Sequence, residues 1–157
     1  SCISTSLSRY KMLSRRWVLA RRLTKIICSH SSSMAMCKHD RNLTDEQLKA
    51  LAQNGGVAQV CLLDRYINED YKNASLTDAI EHIDHMVKVA GIDHVGIGSD
   101  FDGGGGIIGC ESDNDFIQIT VKLIEKGYTE EDIAKIWGGN LMRVLDEVQA
   151  TASVKTL

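Results

Sequence analysis

The stretch His94–Gly106, His-Val-Gly-Ile-Gly-Ser-Asp-Phe-Asp-Gly-Gly-Gly-Gly, constrains this chain more than any other. Within a few residues it passes from an apolar strand to carboxylates on a glycine loop. Val95 and Ile97, with the small Gly96 and Gly98, suit a strand covered on both faces, as in a parallel sheet. An acid that ends such a strand stands on the rim at its carboxyl end. Strand alternation puts Gly96, Gly98 and Asp100 on one face and Val95, Ile97 and Ser99 on the other. Asp100 is therefore the leading candidate for chemistry. Asp102 and the four glycines are expected to form a loop that can lie close to a ligand, since glycine lacks a Cβ and tolerates positive φ. The competing reading is an ordinary strand-to-helix turn.

The flanking sequence alternates short apolar strands with capped amphipathic helices, the α/β pattern. Ile26–Cys28 reads as a brief strand ending in Ser29-His30-Ser31-Ser32-Ser33, followed by a helical turn over Met34–Cys37. Thr44 opens a helix, with Gln47 completing a capping box, Leu48, Leu51 and Ala52 as its buried stripe, and Asn54-Gly55-Gly56 closing it, a glycine supplying the left-handed cap. Val57–Leu63 is the next strand, and Leu76–Ala90 a helix with Ile80, Ile83 and Val87 on one face and Gly91 as its end. Phe116–Lys126 is predicted as a helix with Ile117, Val121, Leu123 and Ile124 as its apolar side. Thr129, with Asp132 at the third position, caps a last helix anchored by Trp137, Leu141, Val144 and Leu145. The fold class is thus α/β, with three β/α units plus a final helix. Three such units do not close a sheet. A complete (β/α)8 barrel takes about 250 residues, so the pattern fits the C-terminal part of a TIM barrel, with a thin, open doubly wound sheet as the alternative.

Composition adds exclusions. No run of about eighteen apolar residues occurs, so no membrane span is expected. A formal charge of −3 gives no reason to expect nucleic acid as a partner. Five cysteines, an odd number with no CxxC, argue against a disulfide framework and for a reducing, cytoplasmic compartment. Residues 1–25 differ sharply from the rest, with seven Lys or Arg and no Asp or Glu. They read as foreign to the domain, as a frame error or a cut gene would produce, with a targeting segment as the alternative. The domain proper is then residues 26–148, with 149–157 as a tail.

Among the histidines, His82 and His85 fall away from the apolar face of their helix and are expected on a solvated surface. His94 begins its strand, six residues before Asp100, which puts it about 20 Å away at the opposite rim. His39 sits in a polar loop without a distinguishing pattern. His30 ends a strand at the rim of Asp100, flanked by hydroxyls able to fix its ring, and suits either a metal or a proton transfer. Arg41 joins them if the loop after His30 folds back over the strand ends, where its guanidinium fork suits a substrate carboxylate. The competing reading of Arg41 is a surface ion pair with Asp40, Asp45 or Glu46. Cys28, Cys37, Cys61 and Cys110 show no metal spacing and read as small apolar residues.

Three segments then carry a family resemblance, in order along the chain: Ile26–Asn42 (Ile-Ile-Cys-Ser-His-Ser-Ser, then His-Asp-Arg-Asn-Leu-Thr-Asp), His94–Gly103, and Ile136–Val144 (Ile-Trp-Gly-Gly-Asn-Leu-Met-Arg-Val). Together they resemble the renal or membrane dipeptidase family, the M19 metallopeptidases. The resemblance implies a TIM barrel of amidohydrolase type in which two zinc ions serve the hydrolysis of dipeptides. It matches His30 to a metal-binding histidine, Arg41 to the arginine that holds the substrate carboxylate, and Asp100 to an aspartate that handles the proton or the scissile centre. Tyr66 falls where a family tyrosine lines the substrate pocket.

The departures are as specific as the matches. The family's first-strand His-x-Asp, its bridging glutamate and its preceding metal histidine have no counterpart in this sequence. One metal histidine cannot hold a dinuclear site. The expectation is a C-terminal fragment of a dipeptidase, inactive alone and prone to self-association through its open sheet edges. Two other classes compete with it. One is a sugar-phosphate lyase or isomerase using Gly96–Gly106 as a phosphate cradle, against which Asp100, Asp102 and the lack of a nearby lysine argue. The other is a non-catalytic remnant or interaction module.

Overall fold

The computed structural model describes residues 25–154, so the composition break in residues 1–24 lies outside the described residues. Three parallel strands form one sheet in the order β1-β2-β3: β1 (Ile27–Cys28), β2 (Val57–Cys61) and β3 (Val95–Ser99). Ile27 pairs with Val57 and Ala58 with Val95. Between Val60 and Cys61 the register slips, because Cys61 pairs with Ser99 rather than Gly98. Such a bulge bends a strand and re-aims the side chains beyond it.

The helices start and stop where local chemistry says they should. Helix α1 (Asp45–Asn54) carries the Thr44–Gln47 capping box and ends at Gly55 with φ 76°. A short α2 (Asp64–Ile67) comes directly after β2, and α3 (Leu76–Ala90) is opened by Ser75 with Asp78 in a reciprocal box. Helix α4 (Phe116–Glu125) precedes α5 (Glu130–Ala134), which Thr129 and Asp132 cap. After a wide turn over Lys135–Gly139, α6 (Asn140–Val154) carries helix through the boundary drawn at residue 148. Leu48, Leu51, Val57, Val60, Ile80, Ile83, Met86 and Val95 form the centre of the core, each at most 3% exposed. No helix among the described residues is long and apolar enough to cross a membrane.

Three expectations about faces are corrected. His82 is not on a solvated surface but 1% exposed. Its Nδ1 accepts from the Ser33 N–H at 3.0 Å, and its Nε2 lies 2.9 Å from the Ile67 carbonyl. Helix α3 is covered on a second side by the chain after β1 and by the end of α2, which its own period cannot reveal. His85 is likewise half-buried, 2.7 Å from Asp45 of α1. In α4 the buried pair is Ile119 and Leu123, while Ile117, Val121 and Ile124 are 60%, 40% and 59% exposed. That helix is apolar around most of its circumference, and packing against α3 covers only one stripe of it. In α6 Val144 is buried as expected, whereas Leu145 is exposed.

Candidate active site at the strand ends

The carboxyl ends of the three strands gather most of the residues singled out above. Past β1, the Ser31 N–H donates to the Gln59 carbonyl at 2.8 Å, and the Ser32 hydroxyl donates to the Cys61 carbonyl at 3.2 Å. The chain then makes a closed loop. Met34 N–H donates to the Leu43 carbonyl and Leu43 N–H to the Ser32 carbonyl, both at 2.8 Å, so Ser33 and Leu43 lie side by side. This closure returns Arg41 to the strand end that carries His30.

The buried Asn42 fastens that loop. Its Oδ1 accepts from Ser32 N–H at 3.2 Å, while its Nδ2 donates to the carbonyls of Cys37 at 2.9 Å and Tyr66 at 2.8 Å. Arg41 Nη2 thereby lies 3.0 Å from Nε2 of His30, whose Nδ1 is 2.8 Å from the Ser29 hydroxyl. A guanidinium only donates, so Nε2 is the acceptor and the ring proton sits on Nδ1, donating to Ser29. The Arg41 guanidinium stands 5.8 Å from the Tyr66 ring centre, and the His39 ring is 4.3 Å from it. The turn Met34–Cys37 is present as a turn, with the N–H groups of Met36 and Cys37 directed at the Ser33 carbonyl.

Asp100 stands just past β3, its carboxylate against the thiol of Cys61, which lies two residues beyond Gln59, the side chain that Gly96 and Gly98 face. Ser99 and Asp100 have φ of 30° and 70°, the only positive values at non-glycine residues among those described. Aspartate tolerates the conformation better than most residues, and such outliers concentrate where function holds them. The glycine loop closes on Asp100 itself: Gly103 and Gly105 N–H donate to its carbonyl at 3.0 and 2.8 Å. A Cβ on Gly103 would stand 2.5 Å from the Asp100 carboxylate. Gly106 N–H then donates to the Leu62 carbonyl at 2.8 Å, while Asp102 is exposed.

Cys61, fully buried at the end of β2, links the two halves of the site. Its thiol is 3.8 Å from the Asp100 carboxylate. Burial, chiefly, pushes it up to about 12; the Asp100 charge adds to the rise and the Arg41 charge opposes it. Asp100 and Arg41 therefore act on the same thiol in opposite senses. His94 stays apart, with Nδ1 2.8 Å from the Gly56 carbonyl at the opposite end of β2.

The metal is a separate matter. Among the described residues no three His, Cys, Asp or Glu side chains come together in a way that could hold an ion, and the Nε2 lone pair of His30 is engaged by Arg41. These residues alone do not fit a metal centre.

Sequence reasoning missed Asn42 and Cys61 beneath Asp100, whereas a hydroxyl flanking His30 does hold its ring, that of Ser29. No local pattern marks Asn42, because it ties both arms of its own loop, at Ser32 and Cys37, to Tyr66 of α2.

A parallel α/β sheet with an arginine, a histidine and an aspartate on its carboxyl rim defines an α/β protein of the kind that places catalysis at strand ends. Its family is specific. The profile of the membrane dipeptidases (peptidase family M19) matches residues 16–157, and the chain belongs to that family of metallo-dipeptidases. It is 35% identical over 148 residues to dipeptidase aclJ of Aspergillus oryzae, covering 93% of this chain and 35% of that protein. It is 37% identical to dipeptidase ataJ of Aspergillus terreus, covering 93% and 36%. Among solved structures, the probable dipeptidase PvdM of Pseudomonas aeruginosa superposes with a TM-score of 0.80 at 29% identity, covering 90% of this chain and 49% of that one. A metallo peptidase of Rhodobacter sphaeroides, bound to a phosphinate mimic of L-Ala-D-Ala, gives 0.76 at 26% identity, covering 85% and 39%. The chain spans about a third of the length of the curated relatives it matches.

Proposed function

We propose that this chain is the C-terminal portion of a zinc-dependent dipeptidase barrel, contributing the substrate-holding and proton-handling side of the site. The observation that carries the reading is that Arg41 meets His30 past the end of β1 while Asp100 stands past the end of β3, on the same carboxyl rim of the sheet. Arg41 would hold the C-terminal carboxylate of a dipeptide through its fork, with Tyr66 beside it. Asp100, fixed by the glycine loop, would take and return the proton as the peptide bond is cleaved. One histidine does not bind two ions, so for His30 to join a metal site its Nε2 would exchange Arg41 for the ion and the other ligands would come from the remainder of the barrel. By itself the chain is then catalytically silent.

The test is hydrolysis of L-Ala-D-Ala with added zinc, by the purified chain alone and mixed with the N-terminal part of a full-length M19 relative. No cleavage alone and cleavage in the mixture is the expected result. Zinc-dependent turnover by the chain alone would show that it is not a dependent portion.

A further inference from the structure

The loop that joins β1 to α1 rests on one buried imidazole. Ser33, 0% exposed, directs its N–H to Nδ1 of His82 at 3.0 Å, and Nε2 of the same ring lies 2.9 Å from the Ile67 carbonyl at the end of α2. A backbone N–H only donates, so Nδ1 is the acceptor and the ring proton sits on Nε2, donating to Ile67. The ring thus spans the two segments that carry rim residues, since Ser33 follows His30 by three positions and Ile67 follows Tyr66 by one. We infer that His82 is a pH-sensitive latch for this loop: neutral, it fastens residues 33–43 to α3, and on taking a proton at Nδ1 it loosens them while keeping its hold on α2.

The asymmetry follows from the donors. A protonated Nδ1 becomes a second N–H facing that of Ser33, so this contact is lost outright, whereas Nε2–H still donates to Ile67. The Ser33 N–H is then buried without its acceptor, which drives that part of the chain toward water. The bonds from Ser31 and Ser32 to β2 remain as the hinge. Asn42, through the Tyr66 carbonyl, opposes the movement, so the loop loosens rather than departs.

The charges around the ring favour its taking a proton in mild acid. Burial disfavours the charged ring, and His85 adds to this, while the Ile67 carbonyl and the Asp78 charge oppose it. Glu69, past the end of α2, and Glu81 line a small cavity beside the ring together with Asp78. Of the neighbouring cations, Lys126 after α4 is held by Glu81, and His85 is held by Asp45 of α1. A proton on His82 therefore meets acid on its open side.

The inference concerns the loop alone; its failure leaves the reading of Arg41 and Asp100 untouched. Amide hydrogen exchange of the 157-residue chain, corrected at each pH for the intrinsic rate, is followed by mass spectrometry from about pH 8 down to about pH 5, across the ordinary imidazole range. Peptides over residues 31–43 should lose protection by up to about tenfold per pH unit, the limit for uptake of one proton, while those of α3 hold. His82→Gln, which offers an acceptor and a donor but takes no proton, should show no pH dependence at residues 31–43, whatever its absolute level.

Imidazole nitrogen NMR of the wild type needs no variant. It should show the Nε2–H tautomer at neutral pH, with protonation of His82 tracking the loss of loop protection. An Nδ1–H tautomer overturns the inference, as does a loop that stays protected after the ring is protonated. Equal pH dependence in His82→Gln, or loss of protection in residues 31–43 and α3 together, overturns it as well.

Discussion

The Cys61 thiol lies 3.8 Å from Oδ2 of Asp100, fully buried beneath the one acidic side chain that the strand ends hold in a left-handed conformation. Burial, chiefly, and the Asp100 charge push the thiol up to about 12, so the reactive thiolate is disfavoured there at pH 8. Iodoacetamide at pH 8 should therefore leave Cys61 unmodified in the native protein and label it in guanidinium. Peptide mapping by mass spectrometry reads the outcome; native labelling at the rate of a free thiol would contradict the burial.

His82 predicts an acid limb of stability. Burial holds its imidazole below the ordinary value of about 6.5, opposed by the Ile67 carbonyl and the Asp78 charge, while His85 lowers it further. A depressed folded value means that the unfolded chain binds the proton first. The stabilisation is thus complete above about pH 6.5 and is lost as pH falls from there toward the lower folded value. Denaturant midpoints between pH 8 and 5 should fall, and His82→Gln should flatten that slope. An equal slope in the variant would remove His82 as its cause.

Asn42→Ala should cost about 2 kcal/mol, because it leaves the buried Ser32 N–H and the Cys37 and Tyr66 carbonyls without their amide partner. The loss should also free the loop that returns Arg41 to His30. Urea unfolding measures the first effect, and the Arg41 side-chain signals measure the second. A variant as stable as wild type would show that water replaces the amide.

Ile117, Val121 and Ile124 form an exposed apolar stripe on α4, and the outer edges of β1 and β3 have no strand partner among the described residues. Both features favour self-association. Size-exclusion chromatography should show elution earlier than a monomer as concentration rises into the tens of micromolar, with Lys at all three stripe positions shifting it back. A concentration-independent monomer would contradict the expectation.

What the sequence determined by itself is what short-range physics decides. Thr44, Ser75 and Thr129 start helices because a side-chain oxygen and a residue three positions on satisfy free backbone N–H groups, whatever surrounds them. Gly55 ends one because only a residue without a Cβ takes φ 76° at little cost. The three strands and the rim that carries His30 and Asp100 were legible for similar reasons, and the opposite placement of His94 followed from strand length alone. Only the tertiary structure decided which of several apolar stripes on α4 is covered, because that depends on where α3 lies. It also buried His82, whose partners Ser33 and Ile67 are far from it in sequence. Most of all it turned Arg41 onto His30, since Asn42 ties its own loop, at Ser32 and Cys37, to Tyr66 of α2, which only the folded sheet brings beside it.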